Sequence, residues 1–388
     1  MNHGPRAPND LESRRDFVVK LALGIGGVPI GAGVLASLPM LSATAGCGAR
    51  SGDAAKTVVA YTSVDDALAR VVLEACRRAT GIDVVAVFDT EATKTTGLEN
   101  RVRAEANRPR ADLFWSSEAF ACARLAADRL LRPIPPDILE GWPAAHRDPD
   151  GRWIAFSARA RVVAFRRDRD ARPPATWGEL AFGGVSSGSE PPRIAIADPR
   201  FGTTRGHVAA LDAAWSAARA RGIDAPHIEL WADALRARGV RVLAGGNAAT
   251  VDAVAAGEVD FGFTDTDDVF AAQARGLPID FTLPRTLAPG VGGGGTMIVP
   301  NTMGIVSGRE ERPEVLEVLR WIVGAEGERL LCASASRNIP LGPHAATVSA
   351  SCATAFEEPD PLAFDLAAAA RQADALAARV HARLTGSG

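Results

Sequence analysis

The sequence predicts an α/β fold of two lobes with a ligand cleft between them, each lobe a mixed, mostly parallel sheet flanked by helices. Three observations carry this. From Thr57 onward, short β-rich runs alternate with stretches whose apolar residues fall on one helix face. A second series of the same kind follows a long β-rich segment, Trp153 to Phe165. A late β pair, Thr296–Pro300 and Thr302–Val306 split by Asn301, then returns toward the first series.

The elements justify this in order. Val58-Val59-Ala60-Tyr61 is a short strand. Asp65 to Thr80 places Leu68, Val71, Val72, Ala75, Cys76 and Ala79 on one helix face, and Gly81 stands where helices commonly stop. Ile82–Phe88 reads as a strand, Leu98–Ala106 as a helix and Ala111–Trp115 as a third strand, a βαβαβ start. In the second series Ile194–Ala197, Arg241–Ala244 and Val259–Thr264 are strands, and Thr203–Arg221, Ala248–Ala256 and Val269–Ala274 are helices. Helices Pro313–Ser334 and Pro361–Leu384 finish the chain, while Pro173-Pro174, Gly183–Pro192 and Gly292–Gly295 read as loops.

Before Thr57 the chain has the three parts of a secretory signal. Met1–Asp16 is polar, Phe17 to about Leu41 is apolar, and small residues lead to Cys47. Ser13-Arg14-Arg15-Asp16-Phe17-Val18-Val19-Lys20 resembles a twin-arginine export motif, and Thr44-Ala45-Gly46-Cys47 resembles a lipobox with Cys47 as the lipidated residue. An uncleaved membrane anchor is the alternative, but Gly24, Gly26, Gly27, Pro29, Gly31 and Gly33 are poor residues for a single span. The expected division is a lipoprotein signal over 1–47, a polar linker over 48–56, lobe 1 from 57–155 and 283–333, and lobe 2 from 156–282 and 334–388. The mature chain is expected outside the cytoplasmic membrane, periplasmic or at the cell surface, and monomeric.

Composition narrows the function. About 340 residues follow Cys47, room for two lobes of ordinary domain size. The net charge of −3 is spread along the chain without a basic block, which argues against nucleic acid. Cys76, Cys122, Cys332 and Cys352 form no CxxC pair, so zinc and thioredoxin-like sites are not indicated, and buried thiols are expected.

From Thr57 on, the chain resembles periplasmic solute-binding proteins of ABC importers, type II, in the branch that includes ferric-ion-binding proteins. The residues that carry the resemblance are Val58-Val59-Ala60-Tyr61-Thr62-Ser63, Thr80-Gly81-Ile82-Asp83-Val84, and Asn107-Arg108-Pro109-Arg110-Ala111-Asp112-Leu113-Phe114-Trp115, which is similar to an "NPxADVFW" segment. Arg159–Phe165 resembles the family's crossover strand, Gly202-Thr203-Thr204 its anion-binding helix start, and Ala256-Gly257-Glu258-Val259-Asp260 the strand before its metal ligands. Ser336-Arg337-Asn338-Ile339-Pro340-Leu341 resembles its late "R-x-x-P-L" segment. Where the iron binders carry two adjacent tyrosines, this chain has Asp267-Asp268, and Tyr61 is its one tyrosine. Asp65 stands where some members place a histidine, and Ser117, next to Glu118, where they place a glutamate.

The resemblance therefore implies a carboxylate-rich cleft lined by Tyr61, Ser63, Asp65, Ser117, Glu118, Gly202, Thr203, Thr204, Asn247, Asp265, Asp267 and Asp268, with Asp66 nearby. Oxygen-only donors suit hard cations, so Asp267, Asp268, Glu118 and Asp65 are the candidate metal ligands, with iron(III), calcium, magnesium or manganese as the transported ion. An amine-bearing solute would also neutralise such a cluster. Helix capping is the competing role for the aspartates, since Asp265–Asp268 and Asp65-Asp66 stand at helix starts. Gly202-Thr203-Thr204 offers a helix N-terminus to an anionic group, with Arg205 to add charge, or simply an ordinary cap.

No catalytic set is apparent. Gly184-Val185-Ser186-Ser187-Gly188 spells G-x-S-x-G, but Pro191-Pro192 follows where a nucleophile elbow needs a helix. His207, His344 and His381 read as ordinary surface or helix residues. The resemblance implies a receptor without enzymatic activity that hands iron(III) or another hard cation to an ABC permease and its ATPase. The alternatives are a phosphonate or polyamine binder and, from another class, an exported hydrolase using Ser186.

Overall fold

A computed structural model of the protein describes residues 56–89, 95–169, 172–184, 191–292, 294–353, 356 and 359–387. The export signal, Cys47, the linker before residue 56 and Ser186 lie outside the described residues. Among the described residues no helix is long and apolar enough to cross a membrane.

The strands are β1 Thr57–Thr62, β2 Asp83–Phe88, β3 Leu113–Ser116, β4 Leu131–Arg132, β5 Trp153–Arg166, β6 Ile194–Ala197, β7 Arg241–Leu243, β8 Phe261–Asp265, β9 Ile279–Thr282, β10 Ile298–Val306 and β11 Ile339–Pro340. Their order is β2-β1-β3-β10-β5-β8-β6-β7, with β4 on β10 and both β9 and β11 on β5. Pairing is parallel at the two ends, β2-β1-β3 and β8-β6-β7. It is antiparallel where β10 and β5 join them. Trp153–Ala160 of β5 lies against β10, and Arg161–Phe165 lies against β8. One long strand thus serves both α/β series, and its partner changes between Ala160 and Arg161.

Helices cover both faces because each has one apolar side. Asp66–Thr80 buries Ala69, Val72, Leu73 and Cys76, and Gly81 ends it in the left-handed conformation at φ 70° with its N–H on Arg77 O. Helix Gly246–Ala255 lies so close on β8 that a Cβ at Gly262 would come within 2.7 Å of both Thr250 Cγ2 and Val254 Cγ2. The first series packs Val58, Trp115, Ile154 and Phe156 against helices Asp66–Thr80 and Pro313–Val323. The second gathers Trp177, Trp215, Trp231, Phe261 and Phe263 under helices Gly202–Ala220 and Leu366–Thr385. Burying each such side chain is worth about 1.5–3 kcal/mol, which makes these clusters the main source of stability.

Three of the expected elements are divided, joined or shortened in the structure. The helix expected over Pro313–Ser334 is two, Pro313–Val323 and Ala325–Ala333, broken at extended Gly324. The chain turns there so tightly that a Cβ at Gly327 would meet Ile322 O at 1.9 Å. The pair split at Asn301 is one strand, β10, whose register with β5 shifts between Asn301 and Thr302, a bulge. The last helix starts at Leu366, because Asp365 caps it by accepting from Ala368 N at 2.9 Å. Helices Ala119–Ala127, Pro136–Leu139, Trp177–Phe182, Ile228–Ala237 and Ala345–Ser351 and strands β4, β9 and β11 were not anticipated.

Candidate functional site

The loops after β1, β3, β6, β7 and β8 converge on one cavity of about 70 Å³. Strand ends and helix starts meet there, as the carboxyl ends of parallel strands do in open α/β sheets. Its volume has room for a few water molecules or one ion with its ligands.

Arg159 lines the cavity, and Arg161 lies wholly buried behind it. Arg159 and Arg161 are two apart on β5, so they face the same side. Arg159 Nε lies 3.1 Å from Asp265 Oδ2 and 3.2 Å from Asp267 Oδ2. Arg161, wholly buried, puts Nη1 3.0 Å from Asp265 Oδ1 and donates to Asn247 Oδ1 and Thr204 Oγ1 at 3.0 Å. Burial alone would push the Asp265 carboxyl up, but Arg159 and Arg161 outweigh it and hold it below its ordinary value. Burial works against the Arg159 charge, and Asp267, Asp265, Asp268 and Asp65 overcome it and raise its pKa.

Five carboxylates line the cavity, Asp65, Asp198, Asp265, Asp267 and Asp268, against one lining guanidinium, Arg159; Asp198 is paired with Arg200 and Asp265 with the buried Arg161. Oxygens of Asp265, Asp267 and Asp268 lie within 4.8 Å of one another. Those of Asp265 are engaged by Arg159, Arg161, Thr203 Oγ1 at 2.9 Å and Asn247 Nδ2 at 3.0 Å. Asp268 Oδ2 accepts from Thr264 Oγ1 at 3.2 Å, and Asp267 Oδ1 accepts from Asp268 N at 3.0 Å. Asp65, on the opposite series, lines the same cavity and makes no capping hydrogen bond to its helix. Asp265 likewise precedes helix Thr266–Ala274 without capping it.

The remaining expected residues divide. Ser117, Gly202, Thr203, Thr204 and Asn247 line the cavity. Ser63 supports Ser117, accepting from its N–H at 2.9 Å. Asp66 pairs with Arg70 on an exposed surface. Tyr61 is buried away from the cavity, its hydroxyl donating to Glu105 Oε2 at 2.8 Å, so it is a core residue and not a ligand contact. Glu118 is not at the metal position either. Its oxygens accept from Phe120 N at 2.5 Å and Ala121 N at 3.0 Å, capping helix Ala119–Ala127, and it is 1% exposed. Arg205 adds no charge to the cavity, since it reaches Glu99 Oε2 at 3.2 Å and Asp374 Oδ1 at 2.9 Å. His207 is a helix residue as expected but wholly buried, and burial next to Arg161 holds its pKa well below the ordinary value.

Sequence reasoning missed Arg159, Arg161, Asn301 and Asn338. The signal was available for the arginines, because two charges alternating in an otherwise apolar strand must find buried partners. Asn301, at the bulge, donates Nδ2 to Asn338 Oδ1 at 2.8 Å and to Ser157 Oγ at 2.9 Å. Asn338 lines the cavity, is 1% exposed, and keeps Nδ2 without a partner among the described residues. Arg337 before it holds φ 47°, a left-handed backbone uncommon for a side-chain-bearing residue, with its guanidinium over the Phe270 ring.

Residues 57–334 match the family described as bacterial extracellular solute-binding protein. The chain belongs to that family. Among curated relatives of this solute-binding protein, the major ferric iron-binding protein of Neisseria gonorrhoeae is 32% identical over 113 residues, 28% of this chain and 32% of the relative. The chain thus spans about a third of the length of that relative. Iron uptake protein A2 of Synechocystis is 24% identical over 333 residues, 82% of this chain and 83% of the relative. Among solved structures, iron-bound HitA of Pseudomonas aeruginosa superposes with a TM-score of 0.66 at 21% identity, covering 84% of this chain and 99% of that one. The solute-binding protein therefore has the two-lobed type II periplasmic-binding fold.

Proposed function

We propose that this protein is the extracytoplasmic receptor of an ABC importer, taking up iron(III) or another hard cation through carboxylates. The observation that carries the proposal is the approach of Asp265, Asp267 and Asp268 oxygens to within 4.8 Å at the wall of a cavity where an excess of carboxylates faces a single guanidinium group, that of Arg159. An incoming cation removes that excess, and oxygen donors suit hard ions. Asp265 is held by both arginines and Asp267 by Arg159 alone, so the ligating burden falls on Asp267 and Asp268, with Asp65 from the opposite side. Lobe 1 (57–155 and 283–333) and lobe 2 (156–282 and 334–388) close on the ion, and closure, not bond chemistry, is the working step. Cys47 carries the lipid that holds the receptor at the membrane, and a permease with its ATPase receives the cargo. The iron-binding names of the relatives support this choice of cation.

Thermal unfolding of metal-stripped protein, with and without ferric citrate, manganese or calcium, tests it. A cation present at about 100 times its Kd stabilises by about 2.7 kcal/mol. That gain is expected to vanish in Asp267→Asn/Asp268→Asn. No stabilisation by any cation would refute the metal reading.

A second reading draws on Asn338. Its unpartnered Nδ2 and the helix start at Gly202-Thr203-Thr204 together suit an anionic group. An organic solute carrying both an amine and a phosphonate would meet both halves of the cavity. Stabilisation by such a solute in the absence of metal, lost in Asn338→Leu, would favour it.

A further inference from the structure

Helix Ala325–Ala333 and helix Ala345–Ser351 are joined by a segment that includes β11 and Asn338. Where the two helices meet, Cys332, Val348 and Cys352 form a separate buried cluster. The Cys352 thiol is a hydrogen-bond neighbour of Cys332, and burial, with that neighbour's help, pushes the Cys332 thiol up to about 12. Cys352 closes the second helix as its C-cap and is 7% exposed, whereas Cys332 is fully covered. Its Sγ also lies 3.8 Å from Arg329 O, one turn before Cys332 on the facing helix. Among the described residues Cys76 and Cys122 share no cluster with another cysteine: Cys76 lies under the first-series sheet and Cys122 in helix Ala119–Ala127.

We infer that Cys332 and Cys352 form a reversible disulfide that staples the Asn338 segment in place. Folding gathers the two cysteines in one buried cluster while both are reduced. Export to an oxidising compartment then supplies the oxidant, a small-molecule disulfide or the disulfide of a thiol oxidoreductase. The more accessible Cys352 loses its proton and attacks one sulfur of that disulfide, releasing the other as a thiol. Cys332 loses its proton and attacks Cys352 Sγ, releasing the second thiol. Two protons and two electrons leave the protein, and the oxidant is reduced to two thiols. The ring so closed contains Arg337, Asn338 and the Leu341 and Gly342 N–H groups that Glu328 accepts. The bond therefore fixes the backbone that carries a cavity-lining amide.

This inference goes beyond the proposed transport role and does not depend on which solute is bound. The test incubates reduced, purified protein in glutathione buffers of graded oxidation, followed by alkylation in denaturant and peptide mass analysis. The expected result is loss of alkylation at Cys332 and Cys352 together, a peptide linking them, and continued alkylation of Cys76 and Cys122. Cys352→Ser should abolish the linked peptide while leaving Cys332 alkylatable. The oxidised form should also melt at higher temperature and exchange the amide hydrogens of residues 334–342 at least tenfold more slowly than the reduced form. Full alkylation of both cysteines across the whole series, or a linked peptide joining either of them to Cys76 or Cys122, would overturn it.

Discussion

Arg161 and Asp265 are register partners on neighbouring antiparallel strands, and their side chains meet at 3.0 Å with neither more than 1% exposed. A buried pair of this kind is costly to break from one side, because the abandoned charge remains out of water. Arg161→Met is therefore expected to destabilise the protein in urea unfolding, by about 1–3 kcal/mol because Arg159 still reaches Asp265 at 3.1 Å. Asp265→Leu in the same background should deepen that loss, since Arg159, Thr203 Oγ1 and Asn247 Nδ2 all lose their acceptor there.

Glu118 provides a test of geometry against sequence position. As a cap, its loss in Glu118→Ala should cost about 1 kcal/mol of stability. Ligand affinity should stay within about twofold of the parent, because no oxygen of Glu118 reaches the cavity. Asp267→Asn should show the reverse, with cation affinity falling at least tenfold, about 1.4 kcal/mol, and little change in melting temperature of the ligand-free protein. Calorimetric titration and thermal unfolding on both variants separate the two roles.

Glu328 gives the fold a pH dependence of defined sign. Burial pushes its carboxyl from 4.5 up to about 7, against the pull of the Leu341 and Gly342 N–H groups. A carboxyl that holds its proton more tightly when folded makes the native state the better proton binder, so stability falls as pH rises from about 4.5 through about 7 and is level above. Between those limits the loss is about 1–3 kcal/mol. Glu328→Gln keeps an acceptor oxygen and removes the titration, so its unfolding free energy should be flat over that window.

Gly327 should tolerate no side chain. A methyl there would overlap Ile322 O, a backbone atom that moves only with the whole turn between helices Pro313–Val323 and Ala325–Ala333. Gly327→Ala is expected to destabilise by more than about 2 kcal/mol, although alanine is the better helix former by about 1 kcal/mol. Gly222→Ala, with no atom within 4 Å of the added carbon but a positive φ of 76°, is the control for backbone strain alone.

Much of this molecule was readable from period and punctuation. Helix Asp66–Thr80 and its Gly81 stop, and strand β6, appear where apolar spacing and a glycine put them. Ile228–Ala237 was equally readable, since Ile228, Trp231, Ala232 and Leu235 mark one face, and Thr176 and Glu179 signal the start of Trp177–Phe182. The break at Gly324 was harder, because apolar spacing continues through it and only the approach of Ile322 O to Gly327 forces the turn. The site divides in the same way. Residues that end strands, such as Asp265 and Asn247, follow from topology. Whether a neighbouring carboxylate faces the cavity or its own helix depends on a single rotation of the chain, and this is why Glu118 differs from Asp267. The partners of Arg159 and Arg161 lie about a hundred residues away, and no local pattern names them.

Because β5 carries both arginines and β8 holds Asp265 in register beside them, this part of the site belongs to one continuous sheet. Asp267 and Asp268 follow directly from β8, whereas Asp65 and Ser117 come from the other series. The two groups should therefore govern different rate constants. Under the proposed cation binding, the standing charge on the β8 side guides the ion to first encounter, and the wall bearing Asp65 sets how long it stays. Neutralising Asp267 should slow capture and weaken its salt dependence, while neutralising Asp65 should shorten residence with capture nearly unchanged. For the proposed transport role, that separation leaves dwell time adjustable without loss of capture speed.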